Sequence, residues 1–236
     1  MQFLRILIGF IVTLFFPLTT MGKDNQISIS YSNSAGNTDT QTLSIGYNLE
    51  RNWNGLRFYS DGSYLYKEDS GKETANKLTI NNRGEADITG RILFFIKNFI
   101  KRDKFSGYNL RFGLGPGIGY QLIKKDNENL KLFLGTDFTY NDYTEGGTES
   151  YASGDVSLEY NRQLLENLLF TQKISYLVSF KNSDDYFIHS ETNFEVPITE
   201  KMALGISYKV DYHNLLPDDA EYHTDRVFST SLIYRF

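Results

Sequence analysis

The sequence predicts an all-β fold, a transmembrane antiparallel up-and-down β-barrel of about twelve strands, an even number as single-chain bacterial barrels have. Three observations carry that expectation. From Gln26 onward apolar and polar residues alternate with period two, interrupted by turn signals, the spacing that places successive side chains on opposite faces of a strand. Several runs extend over roughly 10 to 16 residues, against about 5–6 for a soluble strand and about 9–11 for a tilted membrane strand. The connections also alternate in character. Those at 50–54, 89–91, 124–129, 165–167 and 197–201 are tight, whereas 67–74, 100–107, 143–151 and 213–223 are longer and charged. Tight turns on the periplasmic side and longer loops outside are the asymmetry of outer-membrane barrels. A soluble β-sandwich also alternates, with its apolar face turned inward. Strand length and loop asymmetry favour the barrel.

Residues 1–22 read as a secretory signal, leaving 23–236 as the barrel. Arg5 supplies the amino-terminal charge, Ile6 to Phe16 the apolar core, and Thr20-Met21-Gly22 the small-residue pattern for cleavage before Lys23. The alternative, a membrane anchor, would need about 20 apolar residues, and this core has about 11.

The strands then follow in order. Ile27, Ile29 and Tyr31 share a face before the turn at 35–39. Leu43, Ile45, Tyr47 and Leu49 alternate with Thr42, Ser44, Gly46 and Asn48, and Asn52-Trp53-Asn54-Gly55 turns the chain. Leu56, Phe58, Tyr64 and Tyr66 oppose Arg57, Asp61 and Ser63; Leu78, Ile80, Ala86 and Ile88 oppose Thr79, Asn81, Arg83, Glu85 and Asp87. The segment 91–100, with Ile92-Leu93-Phe94-Phe95-Ile96, is apolar on both faces, and its length between Thr89-Gly90 and a basic stretch favours a strand over a helix. Next, Tyr108, Leu110, Phe112, Leu114, Pro116, Ile118, Tyr120 and Leu122 alternate with Asn109, Arg111, Gly113, Gly115, Gly117, Gly119 and Gln121. Five further alternating runs lead to the last, where Phe228, Thr230, Leu232, Tyr234 and Phe236 share one face. Aromatic residues near the ends of these faces (Tyr47, Tyr66, Tyr108, Tyr120, Tyr140, Phe180, Tyr186, Tyr212, Tyr234) suit interfacial girdles.

Composition narrows the function. Cysteine is absent, which removes disulfides and thiolate metal sites, and the formal charge of -5 lacks the clustered positive surface that nucleic acid requires. Mean hydropathy of -0.39 argues against a helical membrane protein but not against a barrel, whose strands are only half apolar. No cofactor and no metal are expected.

The carboxyl end, with Leu232, Tyr234 and terminal Phe236, resembles the closing strand that barrel-assembly machinery reads in outer-membrane proteins. With Gly36-Asn37-Thr38-Asp39-Thr40 and Gly113-Leu114-Gly115-Pro116-Gly117-Ile118-Gly119-Tyr120-Gln121-Leu122, the chain resembles the YdiY-like salt-induced outer-membrane proteins. The resemblance implies a barrel exported to the bacterial outer membrane, in contact with its lipid, and induced by salt. It brings no catalytic residues.

The expected lumen face carries charges of both signs. Arg57, Asp61, Arg83, Glu85, Arg111, Asp137, Glu159, Lys173, Glu191, Glu195 and Lys209 are its candidate functional residues, with Asp87, Lys131, Asp155 and Asp211 on the same face. Two readings stand: an ion-paired, occluded interior, or a narrow polar pore for small solutes or ions. Gly113, Gly115, Gly117 and Gly119 fit neither a dinucleotide fingerprint nor a Walker loop. They suit a strand where another group packs closely, with Pro116 suggesting a bulge. The enzymatic lead is His213 and His223, flanking the last outer loop near Asp211. An outer-membrane lipid or peptide hydrolase with a site at the extracellular rim is therefore the alternative, although acidic outer loops are usually only solvated.

Overall fold

The computed structural model describes residues 25–34, 40–216 and 222–236; the expected signal segment, most of the 36–40 motif and part of the 213–223 loop lie outside the described residues. Backbone polar groups facing hydrocarbon have no water to bond, so β-structure there must close on itself. The strands are β1 (Gln26–Ser34), β2 (Thr40–Trp53), β3 (Leu56–Asp69), β4 (Lys72–Asp87), β5 (Ile92–Asp103), β6 (Tyr108–Lys125), β7 (Glu128–Tyr143), β8 (Thr148–Leu165), β9 (Leu168–Ser179), β10 (Tyr186–Pro197), β11 (Met202–His213) and β12 (Thr224–Arg235). Each pairs antiparallel with its sequence neighbours, and β1 pairs with β12 to complete a closed barrel. The seam runs through Ile27↔Tyr234 and Ile29↔Leu232.

The alternation resolves as anticipated into a greasy outside and a polar inside. Ile29, Phe58, Phe94, Ile118, Phe138, Ile174, Leu204 and Phe228 are exposed on the outer surface, as a lipid-facing belt requires. Leu232, Tyr234 and Phe236 also face outward and are partly exposed, while Ile233 between them is buried inside.

Three expectations are corrected. The charged stretch 67–74 is not a loop. β3 and β4 run on as a paired ladder to the two-residue turn Ser70-Gly71, both with positive φ. Likewise β5 continues to Asp103, β7 to Tyr143, and β8 begins at Thr148. These strand ends carry charge on both faces, so the hydrophobic period fades although the ladder continues. Second, Tyr108 belongs to the lumen and not to a girdle: it is 6% exposed. The β6–β7 register shifts between Tyr108 and Leu110, and such an irregularity moves a side chain to the other face.

Pro116 causes no bulge. Pairing to β7 lapses over Gly115 and Pro116 and resumes at Gly117↔Gly135 in the same register. The glycines have a steric role. Across the β5–β6 ladder, Leu93, Phe95, Lys97 and Phe99 stand opposite Gly119, Gly117, Gly115 and Gly113, so the inward side chains of β5 lie over a strip with none of its own. A Cβ on Gly113 would sit 2.2 Å from the Phe99 ring, and one on Gly117 2.2 Å from Phe95. This explains why β5 is apolar on both sides. Ile92, Phe94 and Ile96 face lipid, while Leu93 and Phe95 pack inside with Phe133 from β7, the two rings edge-to-face at 5.5 Å.

The glycines are not equivalent, which gives a graded expectation. A Cβ on Gly115 would lie 1.6 Å from the Thr136 carbonyl oxygen, a backbone atom, whereas on Gly113 it meets only the Phe99 side chain. Gly113→Ala should destabilise the barrel by about 1–3 kcal/mol and be largely rescued by Phe99→Ala. Gly115→Ala should cost more and find no such rescue. Urea midpoints of the refolded single and double variants measure both.

Candidate functional site

The interior of the cylinder is the candidate site, and register determines its chemistry. Each lumen charge named from the sequence stands on an inward row. Five fall on one ladder line: Lys131 opposite Glu159, Glu159 opposite Lys173, Lys173 opposite Glu191, and Glu191 opposite Lys209. From β7 to β11 the charge alternates in sign at every step. Opposite charges directly across neighbouring strands stabilise a sheet, and like charges there would oppose it.

Toward the end where β1 begins and β12 ends, Glu85 is a hub with a fully buried side chain. Arg57 lies 3.2 Å from it, Arg83 2.9 Å and Lys131 3.7 Å. Arg57 also grips Asp87 through two hydrogen bonds of 2.8 and 2.6 Å. Arg83 reaches past three strands to donate two hydrogen bonds to Glu159, at 2.7 and 3.0 Å, and its guanidinium lies 4.2 Å over the Phe133 ring. Lys97 stands between Asp137 at 3.1 Å and Asp155 at 2.6 Å. Glu195 pairs with Arg235 near the turn end. Asp61 accepts a 2.8 Å hydrogen bond from Asn81.

Near the loop end, Lys77 of β4 crosses the lumen to Asp211 of β11 at 2.7 Å, with Asp103 at 3.4 Å and Asp225 at 3.9 Å. Arg111 stacks on Phe187, 3.4 Å above its centroid, and donates to Tyr151 at 3.4 Å. The other face of this cluster is the His213 ring, 3.7 Å from Phe187.

The three residues of the enzymatic lead are not brought together. His213 Nε2 bonds Asp185 at 2.8 Å, and His223 Nδ1 bonds the His213 carbonyl at 2.8 Å while its ring stacks on outward Tyr212. Asp211 pairs instead with His189 at 2.6 Å and with Lys77. Among the described residues, no group of three or more His, Asp and Glu is placed to hold a metal ion.

Filling is lopsided. Most of the buried interior side chains lie on β5 to β8, among them Leu93, Phe95, Arg111, Phe133, Asp137, Thr139, Asn141, Tyr151, Ser153 and Asp155. The opposite wall presents small groups: Ser207 on β11, Ser229 and Ser231 on β12, Ser28 and Ser30 on β1, and Ser44 and Gly46 on β2 are half-buried, whereas Ala203, Gly205 and Ile233 are buried. Lys209, Asp211 and His189 beside this wall keep about a third of their side-chain surface accessible.

Lys77, Lys97, Asp103, Phe187 and Tyr151 were not singled out from the sequence. Lys77 could have been, standing two residues before Thr79 on the same inward row, and Asp103 by continuing the row of Lys97 and Phe99 into the supposed 100–107 loop. The cross-lumen partnerships had no such signal, because period two shows which face a residue is on but not what lies across the cylinder.

A family model described as a protein of unknown function, DUF481, matches residues 27–236. The chain is 24% identical over 211 residues to the uncharacterized protein YdiY of Escherichia coli (strain K12), covering 89% of this chain and 82% of that one. Among solved structures it is similar to the NanC porin, with a TM-score of 0.55 at 8% identity over 90% of this chain and 99% of that one. The KdgM porin in complex with disordered oligogalacturonate gives 0.49 at 8% identity over 89% and 99%. The NanC likeness is one of fold.

Glu85 yields the sharpest test of this network. Glu85→Gln leaves three cations without their shared buried anion, and removing one partner of such a set typically costs about 3–5 kcal/mol. Urea unfolding of the variant should show a loss of that order, and it should persist at high salt, because ions screen buried charges poorly.

Proposed function

The chain belongs to the DUF481 family and folds as a closed twelve-stranded barrel, and from that premise we propose that it is a non-enzymatic, narrow, porin-like channel of the outer membrane for small polar solutes or ions. The observation that carries this reading is the lopsided lumen. The serines of β11, β12, β1 and β2 stay partly accessible, as do Lys209, Asp211 and His189 beside them, and the alternating charge belt and the Lys77–Asp211 bridge border this wall. Hydroxyls and paired charges of both signs can replace parts of a hydration shell without binding any one ion tightly, and conduction needs such weak, repeated contacts. The bridges of Arg83 to Glu159 and Lys77 to Asp211 narrow the path, so large solutes are excluded. A purely structural envelope role is what remains if the bridges close the path altogether.

The hydrolase alternative lacks comparable support, since His213, His223 and Asp211 each serve a different partner. Export by cleavage before Lys23, recognition of Leu232, Tyr234 and Phe236 by the assembly machinery, and induction by salt complete the proposal. The last rests on the resemblance to salt-induced relatives and concerns expression, for which a restricted solute path under osmotic load is a reasonable use.

Planar-bilayer recording of the mature, refolded protein tests the channel. Small discrete conductance steps are expected, and Lys77→Ala should enlarge them by removing the bridge at the loop end. A membrane that stays silent for both proteins would assign the barrel the structural role.

A further inference from the structure

The outward face of β3, β4 and β5 departs from the apolar belt at mid-depth. Ser60, Asn82 and Asn98 stand on one ladder line, Ser60 opposite Asn82 and Asn82 opposite Asn98. On their strands they share the face of exposed Phe58, Phe94 and Ile96. Ile96 and Ile100 flank Asn98 on either side, so the amide sits inside the belt and not at its rim. Tyr47 and Ser60 share a hydrogen bond of 3.2 Å. Asn82 Nδ2 donates to Asn98 Oδ1 at 2.9 Å. Among the described residues the two amides make no other side-chain hydrogen bond, which leaves the Asn82 carbonyl and the Asn98 amino group directed at hydrocarbon. Such groups are costly unless paired.

The opposite side of the barrel supplies a contrast. Gln172, Ser190 and Thr192 also face outward, yet Gln172 donates to Ser190 at 3.1 Å and accepts from Thr192 at 2.6 Å. That set is closed on itself and needs nothing from outside. The Asn pair is open at both ends.

We propose that this face of β3–β5 is an interface within the membrane, and that its occupant is a second copy of the chain. The geometry selects a copy. When two barrels share a two-fold axis along the membrane normal, the left of one face meets the right of the other. An axis passing between Asn82 and Asn98 therefore sets Asn98 of each copy against Asn82 of its partner at nearly the same depth. The free amino group then meets the free carbonyl twice, and the contact is self-complementary as a two-fold interface must be. Gly84, whose missing Cβ would only touch Phe58 at 3.5 Å and Ile96 at 3.9 Å, lets the two surfaces approach. Polar and small residues serve this way where helices meet in lipid.

The chain has no cysteine, so single cysteines report contacts cleanly in outer membranes of expressing cells. Ile96→Cys and Ile100→Cys should each give an oxidised dimer of twice the mass, and Leu204→Cys on β11 should stay monomeric. Adding Asn82→Leu and Asn98→Leu to Ile96→Cys should cut the dimer by about tenfold, the worth of two such hydrogen bonds in a membrane, while heat-modifiable mobility shows that the barrel still folds. If the leucine pair does not assemble, the cysteine pattern in the parent background decides alone. No dimer at 96 or 100, equal cross-linking at 204, a product of another mass, or a dimer indifferent to the two leucines would each overturn the proposal.

Discussion

A backbone in hydrocarbon must bond every amide to another part of itself, and the rest of this structure follows from that requirement. A sheet meets it only by closing, so β1 is bound to β12. Closure in turn divides each strand's side chains into two populations with no third option. What faces out must suit lipid, and what faces in is cut off from bulk water on all sides but two. The many ionisable residues of the inward rows therefore have to find partners in one another. The alternating line from Lys131 to Lys209 is how five adjacent strands satisfy this, since each charge is flanked by its opposite in the hydrogen-bonding direction.

A ring of twelve strands is also too wide to be filled by small side chains and too narrow for the aqueous channel of a sixteen-stranded porin. Long side chains solve this by reaching across. Arg83 to Glu159 and Lys77 to Asp211 join strands that are not neighbours, and Arg111 lies on Phe187 of the far wall. Ionic ties of this kind contribute less net stability than apolar packing of the same volume would, because each charge must first be desolvated. Their benefit lies elsewhere. A polar tie can be replaced by water without leaving an exposed greasy surface, so an interior held this way can contain a path that a hydrophobic plug could not.

How much of this was legible follows from what period two encodes. It gives the face of a residue, so the barrel, the outward row ending at Phe236 and the inward placement of Arg57, Glu85 or Lys209 could all be read directly. It fails where the ladder is irregular. Tyr108 keeps step with Leu110 and Phe112 in the sequence, yet the register shift beside it turns its ring into the lumen. It also fades where both faces are wet, which is why the paired ends of β3 and β4 looked like a loop. Polar interruptions such as Ser60 and Asn82 were present in the outward rows, but alternation by itself gives no reason to treat them differently from noise. Contacts across the cylinder depend on barrel width and strand stagger, and no local pattern carries those quantities.

The position of the open strip has a local cause, however. Bulky inward residues of β5 need somewhere to lie, and the glycine row of β6 provides it, drawing Phe95 and Phe99 sideways along the wall and away from the barrel axis. Phe133 and the Lys97 ion pairs build on that layer from β7 and β8, so mass accumulates on one side. Nothing comparable happens on β11, β12, β1 and β2, whose inward rows carry no large aromatic residue and include Ser207, Ser229, Ser231, Ser28, Ser30, Ser44 and Gly46. Had the glycines been spread around the ring, large residues would have converged from all directions and met in the middle. Concentrated on a single strand, they make the interior eccentric: one wall is thick, and the other is left thin. The placement of four glycines on one strand thus decides not only how the barrel packs but which wall is left thin.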